Sequence, residues 1–245
     1  MKVAFLGASR GMGRALARRM AERGDALFLL GRDLEDLGRS ATELQILGSA
    51  GPVDTAYCDL LRPESFAPAL ERAATVLGGF DTVVITAGLF GTQEQLESDA
   101  ALRANVLTAD FTNTVLFCEL AREELVRRGG GTLCVFSSVA GERGRKPVIL
   151  YGAAKAGLSQ YLEGLDHKFR EHGLRVVTVK PGFVKTGMTA GLPAPPFAGE
   201  PEAVAATVLA AIDRGTPVVF APPVWRWIML VIRQLPRFVM RRIGF

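Results

Sequence analysis

The chain has 245 residues, 49% hydrophobic and 22% charged, the balance of an ordinary globular protein with room for a full core. Its net charge of +4 is uneven: residues 223–245 hold five arginines and no acid, which argues against a broad nucleic-acid surface elsewhere. No run of about eighteen uncharged apolar residues suggests a spanning helix, and three widely spaced cysteines (Cys58, Cys118, Cys134) read as free core thiols of a reducing compartment rather than bridges or metal ligands.

The N-terminus carries one Lys and an apolar run that meets Gly7 at once, too short for a signal peptide. Val3 to Leu6 is continuous and apolar, as expected of a buried parallel strand. Gly7-Ala8-Ser9-Arg10-Gly11-Met12-Gly13 follows, then a helix to about Arg23. Residues without Cβ let backbone N–H groups and a helix N-terminus approach a pyrophosphate, so Gly7, Ser9, Arg10, Gly11, Met12 and Gly13 are candidate cofactor residues. The second strand, Ala26 to Leu30, ends in Gly31-Arg32-Asp33. A free ribose 2′-hydroxyl would want a carboxylate at the strand tip; Gly31 stands there, with Arg32 next. A guanidinium suits a 2′-phosphate, and Arg10 offers a second cation, so NADP(H) is expected. Asp33 leaves room for NAD(H), and the plain alternative makes Arg32 a solvated loop charge.

Strand and helix keep alternating. Val53 to Tyr57 is a short strand, after which Asp59 and Leu60 are placed against the adenine; a helix follows Pro63. Asp81 to Thr86 is a central strand closing on Thr86-Ala87-Gly88, where Ala87 and Gly88 let a cofactor lie flat. One long helix is predicted from about Asp99 to Arg128, carrying Asn105. Gly129-Gly130-Gly131 ends it, and Thr132 to Phe136 delivers Ser137 and Ser138. Tyr151 and Lys155, four apart on the next helix (Tyr151 to Glu171), share a face, so the ammonium sits beneath the phenol. Leu174 to Val179 is a strand closed by Pro181-Gly182, followed by Val184 and Thr186; a helix (Pro201 to Arg214) and a strand (Pro217 to Ala221) complete the body. His167 and His172 lack other ligand types in register, and no metal site is expected. The alternation predicts a single α/β domain over residues 1–222: a doubly wound parallel sheet of about seven strands, helices on both faces, with a ligand at the carboxyl ends of the strands.

These residues resemble the short-chain dehydrogenases/reductases over nearly the whole chain. The matching set is Gly7, Gly11 and Gly13, Thr86-Ala87-Gly88, Asn105, Ser138, Tyr151, Lys155, and Pro181-Gly182 with Thr186. The resemblance implies a Rossmann-like fold, a catalytic tetrad of Asn105, Ser138, Tyr151 and Lys155, and homodimers or homotetramers formed through the two long central helices. Leu6 and Thr86 depart from the family's usual Thr and Asn, which touches local hydrogen bonding in the turn and sheet. A narrower set, Ser137-Ser138-x-Ala140-Gly141-Glu142-Arg143-x-Arg145, Pro181-Gly182-x-Val184-x-Thr186-x-Met188 and Arg233-x-Leu235-Pro236-Arg237, looks like the decaprenylphosphoryl-2-keto-ribose reductases.

The implied reaction is carbonyl reduction, Tyr151 donating a proton as hydride arrives from the cofactor. Bringing a phenol from about 10 to about 7 takes roughly 4 kcal/mol of preferential stabilisation of the phenolate, which Lys155 and the oxidised nicotinamide would supply. Ser138 would donate to the carbonyl oxygen, and Asn105 would hold a water linking Lys155 to solvent. Residues 187–200, apolar and rich in Gly and Pro, read as a substrate lid or as a plain connector. Arg143, Arg145 and Lys146 either bind a phosphate or form a solvated loop. The tail, 223–245, reads equally as a segment lying in a membrane interface and as a helix packed on the active-site mouth or a partner subunit. The expected substrate is a small-molecule or lipid-linked carbonyl compound, and the expected location is the cytoplasm, peripheral on the inner face of the membrane where the tail binds lipid. The rivals are a soluble reductase of 3-oxoacyl groups or small ketones, and a non-catalytic NADP(H) sensor or scaffold. Proteins of the latter class usually lose the Tyr or Lys that this chain keeps.

Overall fold

The apolar runs pair side by side in the computed structural model, which describes residues 1–244; Phe245, the last residue of the predicted tail, lies outside them. Seven strands form one sheet: β1 (Lys2–Leu6), β2 (Ala26–Gly31), β3 (Asp54–Tyr57), β4 (Thr82–Ile85), β5 (Gly131–Phe136), β6 (Leu174–Pro181) and β7 (Val218–Ala221). Their order is β3-β2-β1-β4-β5-β6-β7, and every pair is parallel. Leu6 stands opposite both Leu30 and Ile85, and Phe136 opposite Val179, so the strands end in one row. The order reverses between β1 and β4, which opens a crevice at their carboxyl ends.

Side chains alternate across this sheet with the period of two that a strand imposes. Ala4, Leu6, Phe28 and Leu30 face one core, closed by α3 (Phe66–Leu77), α6 (Thr114–Arg127) and α7 (Ile149–Phe169). Val3, Phe5, Leu27 and Leu29 face the other, closed by α1 (Gly11–Glu22), α2 (Leu34–Leu47) and α8 (Pro201–Arg214). Phe117 is fully buried and meets Phe66 edge to face at 5.4 Å. Truncating a ring so placed costs about 3–5 kcal/mol.

The long helix predicted over 99–128 is divided. A short helix, α4 (Gln93–Ser98), comes first, and Asp99 then caps α5 (Ala100–Leu107) by accepting from the N–H groups of Ala101 and Leu102. From Thr108 to Asn113 the chain widens into a π turn before α6 begins. The Thr114 hydroxyl donates to the Ala109 carbonyl five residues back (2.6 Å), and the Asn113 amide donates to the Leu60 carbonyl (2.6 Å). The first bond gives a carbonyl of the wider turn a side-chain donor, and the second ties the turn to the loop after β3.

Beyond β7, α9 (Trp225–Gln234) and α10 (Arg237–Met240) lie against the loop that joins β5 to α7. Trp225, Met229 and Ile232 pack with Val139 as a third, small core. Arg143 donates to the Leu235 carbonyl (2.9 Å), Lys146 to the Arg241 carbonyl (2.7 Å), and Glu142 pairs with Arg233 (3.3 Å) and Lys180 (2.5 Å). The opposite face of the segment, Trp227, Leu230, Val231 and Phe238, is exposed. No helix among the described residues is long and apolar enough to cross a membrane.

Candidate active site

Two contacts make the turn after β1 a glycine turn. Gly7 sits at φ +100°, and a Cβ there would lie 2.5 Å from the Ala87 nitrogen. A Cβ on Gly13 would collide with the Gly7 carbonyl. The Thr86 hydroxyl donates to that carbonyl (2.8 Å), so the departure from Asn at this position keeps β4 fastened to the turn. The first turn of α1 carries no acid and no side-chain cap, which leaves its N–H groups pointing at the crevice with a positive dipole end behind them.

A groove of about 520 Å³ runs from this turn along the strand ends. Gly7, Ser9, Arg10, Gly11, Met12, Gly13, Arg32, Asp33, Asp59, Leu60, Ala87, Gly88 and Thr186 all line it. Pro181, Gly182 and Val184 do not: Pro181 and Val184 are buried, and the Trp225 indole fills the space beside Gly182 that a Cβ would need. Arg10 also differs from the expectation of a second phosphate cation. It is exposed and paired with Asp36, with Asp33 4.0 Å away, because the N-terminal turn of α2 brings two carboxylates under it. Arg32 has no acid within ion-pair distance among the described residues, and it is the free cation on the groove wall.

At the far end, α7 presents Tyr151 and Lys155 one turn apart, with the Lys155 nitrogen 5.6 Å from the Tyr151 ring centre. Small residues let the helix approach the loop after β5: a Cβ on Gly152 would lie 2.8 Å from the Ala140 carbonyl, and one on Gly141 2.7 Å from the Ala156 nitrogen. The Ser137 hydroxyl donates to the Lys155 carbonyl (2.9 Å) and locks the helix to the strand. Ser138, just beyond the end of β5, accepts from the Ala140 N–H (3.0 Å), and its hydroxyl stands close enough to the Tyr151 phenol to favour the ionised form. Phe90 lines the groove and meets the Tyr151 ring edge-on at 5.2 Å, so groove and phenol adjoin.

Asn105 is not part of this group. It lies exposed on α5, while the π turn adds a residue to the helical phase and brings Asp110 to the pair instead. Asp110 is fully buried; one carboxylate oxygen accepts from the Leu89 N–H (2.7 Å), and the other lies 3.5 Å from the Lys155 nitrogen. Lys155 also donates to the Phe136 carbonyl (3.3 Å). An acid between Ala109 and Phe111, in a stretch 105–114 with no other charged residue, is the available signal for it.

Burial and charge act together on these groups. Burial raises the Tyr151 phenol above its ordinary value; Lys155 pulls it down, Asp110 pushes it up, and Ser138 favours the phenolate. Burial alone would lower the Lys155 ammonium, but Asp110 and Tyr151 outweigh it, so it titrates above its ordinary value. Burial raises the Asp110 carboxyl, against the pull of Lys155 and the Leu89 N–H. The expected lowering of the phenol by Lys155 is therefore offset in the protein alone by burial and by Asp110.

A family model described as short chain dehydrogenase matches residues 2–195. An uncharacterized oxidoreductase of Mycobacterium tuberculosis (strain H37Rv) is 34% identical over 240 residues, 98% of this chain and 96% of that protein. Carbonyl reductase family member 4 of Xenopus tropicalis is 28% identical over 219 residues, 86% of this chain and 90% of that protein. Among solved structures, a short-chain dehydrogenase from Sphingobium yanoikuyae in complex with NADPH superimposes with a TM-score of 0.82 at 25% identity, covering 99% of this chain and 96% of that one.

Proposed function

The chain belongs to the short-chain dehydrogenase family, and on that premise we propose that it reduces a lipid-linked keto-sugar, or a similarly lipidic ketone, with NADP(H), using Tyr151 as the proton donor. The observation that carries the reading is the junction of the groove with the phenol: Gly88 and Phe90 line the first and touch the surroundings of the second. A pyrophosphate suits the turn at Gly7 and Gly13, where side chains would collide and N–H groups stand free. Arg32, a guanidinium without an acid, supports a 2′-phosphate, as does the NADPH bound by the Sphingobium yanoikuyae relative. Asp33 and Asp36 on the same wall are what would admit NAD(H).

When bound, the nicotinamide cofactor supplies the hydride. The chain's own residues do the rest. Tyr151 holds the proton destined for the substrate oxygen, Ser138 donates to that oxygen as charge develops, and Lys155 keeps a positive charge beside the phenol and offers its ammonium to the cofactor ribose.

The substrate class rests on three features. Met188 and Phe197 in the 187–200 segment are exposed and apolar, as a lid for a lipidic substrate would be. Arg145 is half-buried beside the catalytic loop with no ion-pair partner among the described residues, and burial lowers its pKa, so an anionic group is what it lacks. Arg143 and Lys146, expected to share that role, instead hold tail carbonyls. The exposed Trp227, Leu230, Val231 and Phe238 beside five arginines support an anionic lipid surface as the partner of residues 223–245 on the cytoplasmic side. Exposed Phe111 and Leu116 support self-association through the central helices.

The test is NADPH oxidation with polyprenyl-phosphate keto-sugars, 3-oxoacyl thioesters and small ketones, Tyr151→Phe serving as control. Turnover of the keto-sugar that disappears in the variant supports the whole reading. Faster turnover of the thioesters or small ketones removes the substrate class and leaves the reductase. Turnover by Tyr151→Phe equal to the parent refutes the catalytic assignment.

A further inference from the structure

Asp110 is a buried acid that the reaction as described does not use. It faces Tyr151 and Lys155 from α7 and the Leu89 N–H from the loop after β4, with Ser138 beyond it on the far side of the phenol. Among the described residues, no other charged group acts on the pair. We propose that Asp110 is a positioning residue whose carboxylate is the counter-ion of Lys155, holding the ammonium beneath the phenol and opposing negative charge on Tyr151.

Three observations support a charge rather than a mere acceptor. The Leu89 N–H needs one oxygen, which an amide or hydroxyl would supply equally. The second oxygen is buried without a hydrogen bond and faces Lys155 at 3.5 Å. Leaving such an atom unsatisfied is costly in a packed interior, so a fold that needed only the first bond would gain by losing the charge. The space is also kept open: a Cβ on Gly88 would lie 2.9 Å from the bonded oxygen and 3.6 Å from the Lys155 nitrogen. Gly88 is therefore small for the sake of this pair as well as for the groove.

With the carboxylate present, Lys155 stays charged, and the first proton to leave the Tyr151–Lys155 pair leaves against a fixed negative charge. A neutral residue at 110 removes that opposition. Catalytic use of the effect rests on the reductase reading, but the effect itself is visible without substrate. The experiment is an ultraviolet difference titration of the full chain and of Asp110→Asn, each against the same protein carrying Tyr151→Phe, which subtracts Tyr57 and Tyr161. The phenolate signal of Tyr151 is expected about one pH unit lower in Asp110→Asn, roughly a tenfold change in its ionisation constant. Coincident titrations, or a shift upward, overturn the proposal. Should Asp110→Asn fail to fold, Asp110→Ser keeps an acceptor for Leu89 and serves the same comparison. Where neither folds, the carboxyl carbon resonance of Asp110 in the parent decides: an ionised carboxylate at neutral pH supports the pair, and a protonated one refutes it. Failure of the reductase reading would show separately, as absent turnover across the substrate panel.

Discussion

Trp225→Ala separates two views of residues 223–244, a docked element and a loose extension. The Trp225 ring is 9% exposed, fills the space left by Gly182, packs with Val139, Met229 and Ile232, and donates to the Phe197 carbonyl at 3.3 Å. Truncating a buried tryptophan costs about 3–5 kcal/mol. With its edge at the surface the lower end applies, and about 3 kcal/mol at 1.4 kcal/mol per tenfold opens the docked segment roughly a hundredfold more often. The loss is local, because the two main cores do not include this ring. Brief trypsin treatment, followed by mass spectrometry, reads the opening through cleavage after Arg226, Arg233 and Arg237, whose rate follows the open population when reclosing is fast. Trp227→Ala is the control, since that ring is 64% exposed and belongs to none of the three cores. The parent and Trp227→Ala should resist alike while Trp225→Ala is clipped early. Equal cleavage of the two variants would refute the docking energy assigned to Trp225.

Arg32→Ala should weaken NADPH binding at least tenfold and NADH binding little, measured by fluorescence titration; equal losses would remove the phosphate role. Replacing Trp227, Leu230 and Val231 together by Ser should release the protein from phosphatidylglycerol vesicles in a flotation assay; retention on vesicles counts against the lipid surface, and a change of oligomeric state instead would assign the face to a second copy. Stability against pH gives an independent reading of Asp110. Its folded-state pKa is raised by burial, so it contributes most at low pH and that contribution is lost as pH rises through the folded value. Thermal unfolding should therefore show the parent gaining on Asp110→Asn as pH falls from 7 toward 4. A constant gap across that range would mean the carboxyl is not perturbed.

Much of this architecture is legible in the residues themselves. Buried parallel strands announce themselves as short unbroken apolar runs, and each motif falls where such a run stops, so the order of chemistry along the crevice follows from the alternation. Tyr151, Lys155 and Ser138 meet because a four-residue helical spacing and a strand end are both local facts. Asn105 illustrates what a motif match alone misses: the resemblance assigned it, in a stretch read as one helix from 99 to 128, whereas the chain breaks into a π turn there and Asp110 is the residue beside Lys155. Arg10 was legible as a cation but not as a paired one, because Asp36 reaches it from a different helix. Of the two readings of the tail, packing on the protein is the one its inner face displays: Trp225, Met229 and Ile232 pack inward, while Trp227, Leu230 and Val231 remain exposed. The buried side follows the helical spacing of 225, 229 and 232, a stripe that Arg226 and Arg233 stay off.

The π turn at 108–113 works as a phase device. Each residue of an α-helix turns the next by about 100°. Deleting one residue from this segment would let α5 and α6 join as a regular helix, with every position on the N-terminal side rotated by about that angle relative to the core face of α6. Asp110 would swing away from Lys155, yet Phe117, Cys118, Ala121 and Leu125 would keep their places. The geometry of the site can thus be gained or lost by a one-residue change in length, with no substitution in the core.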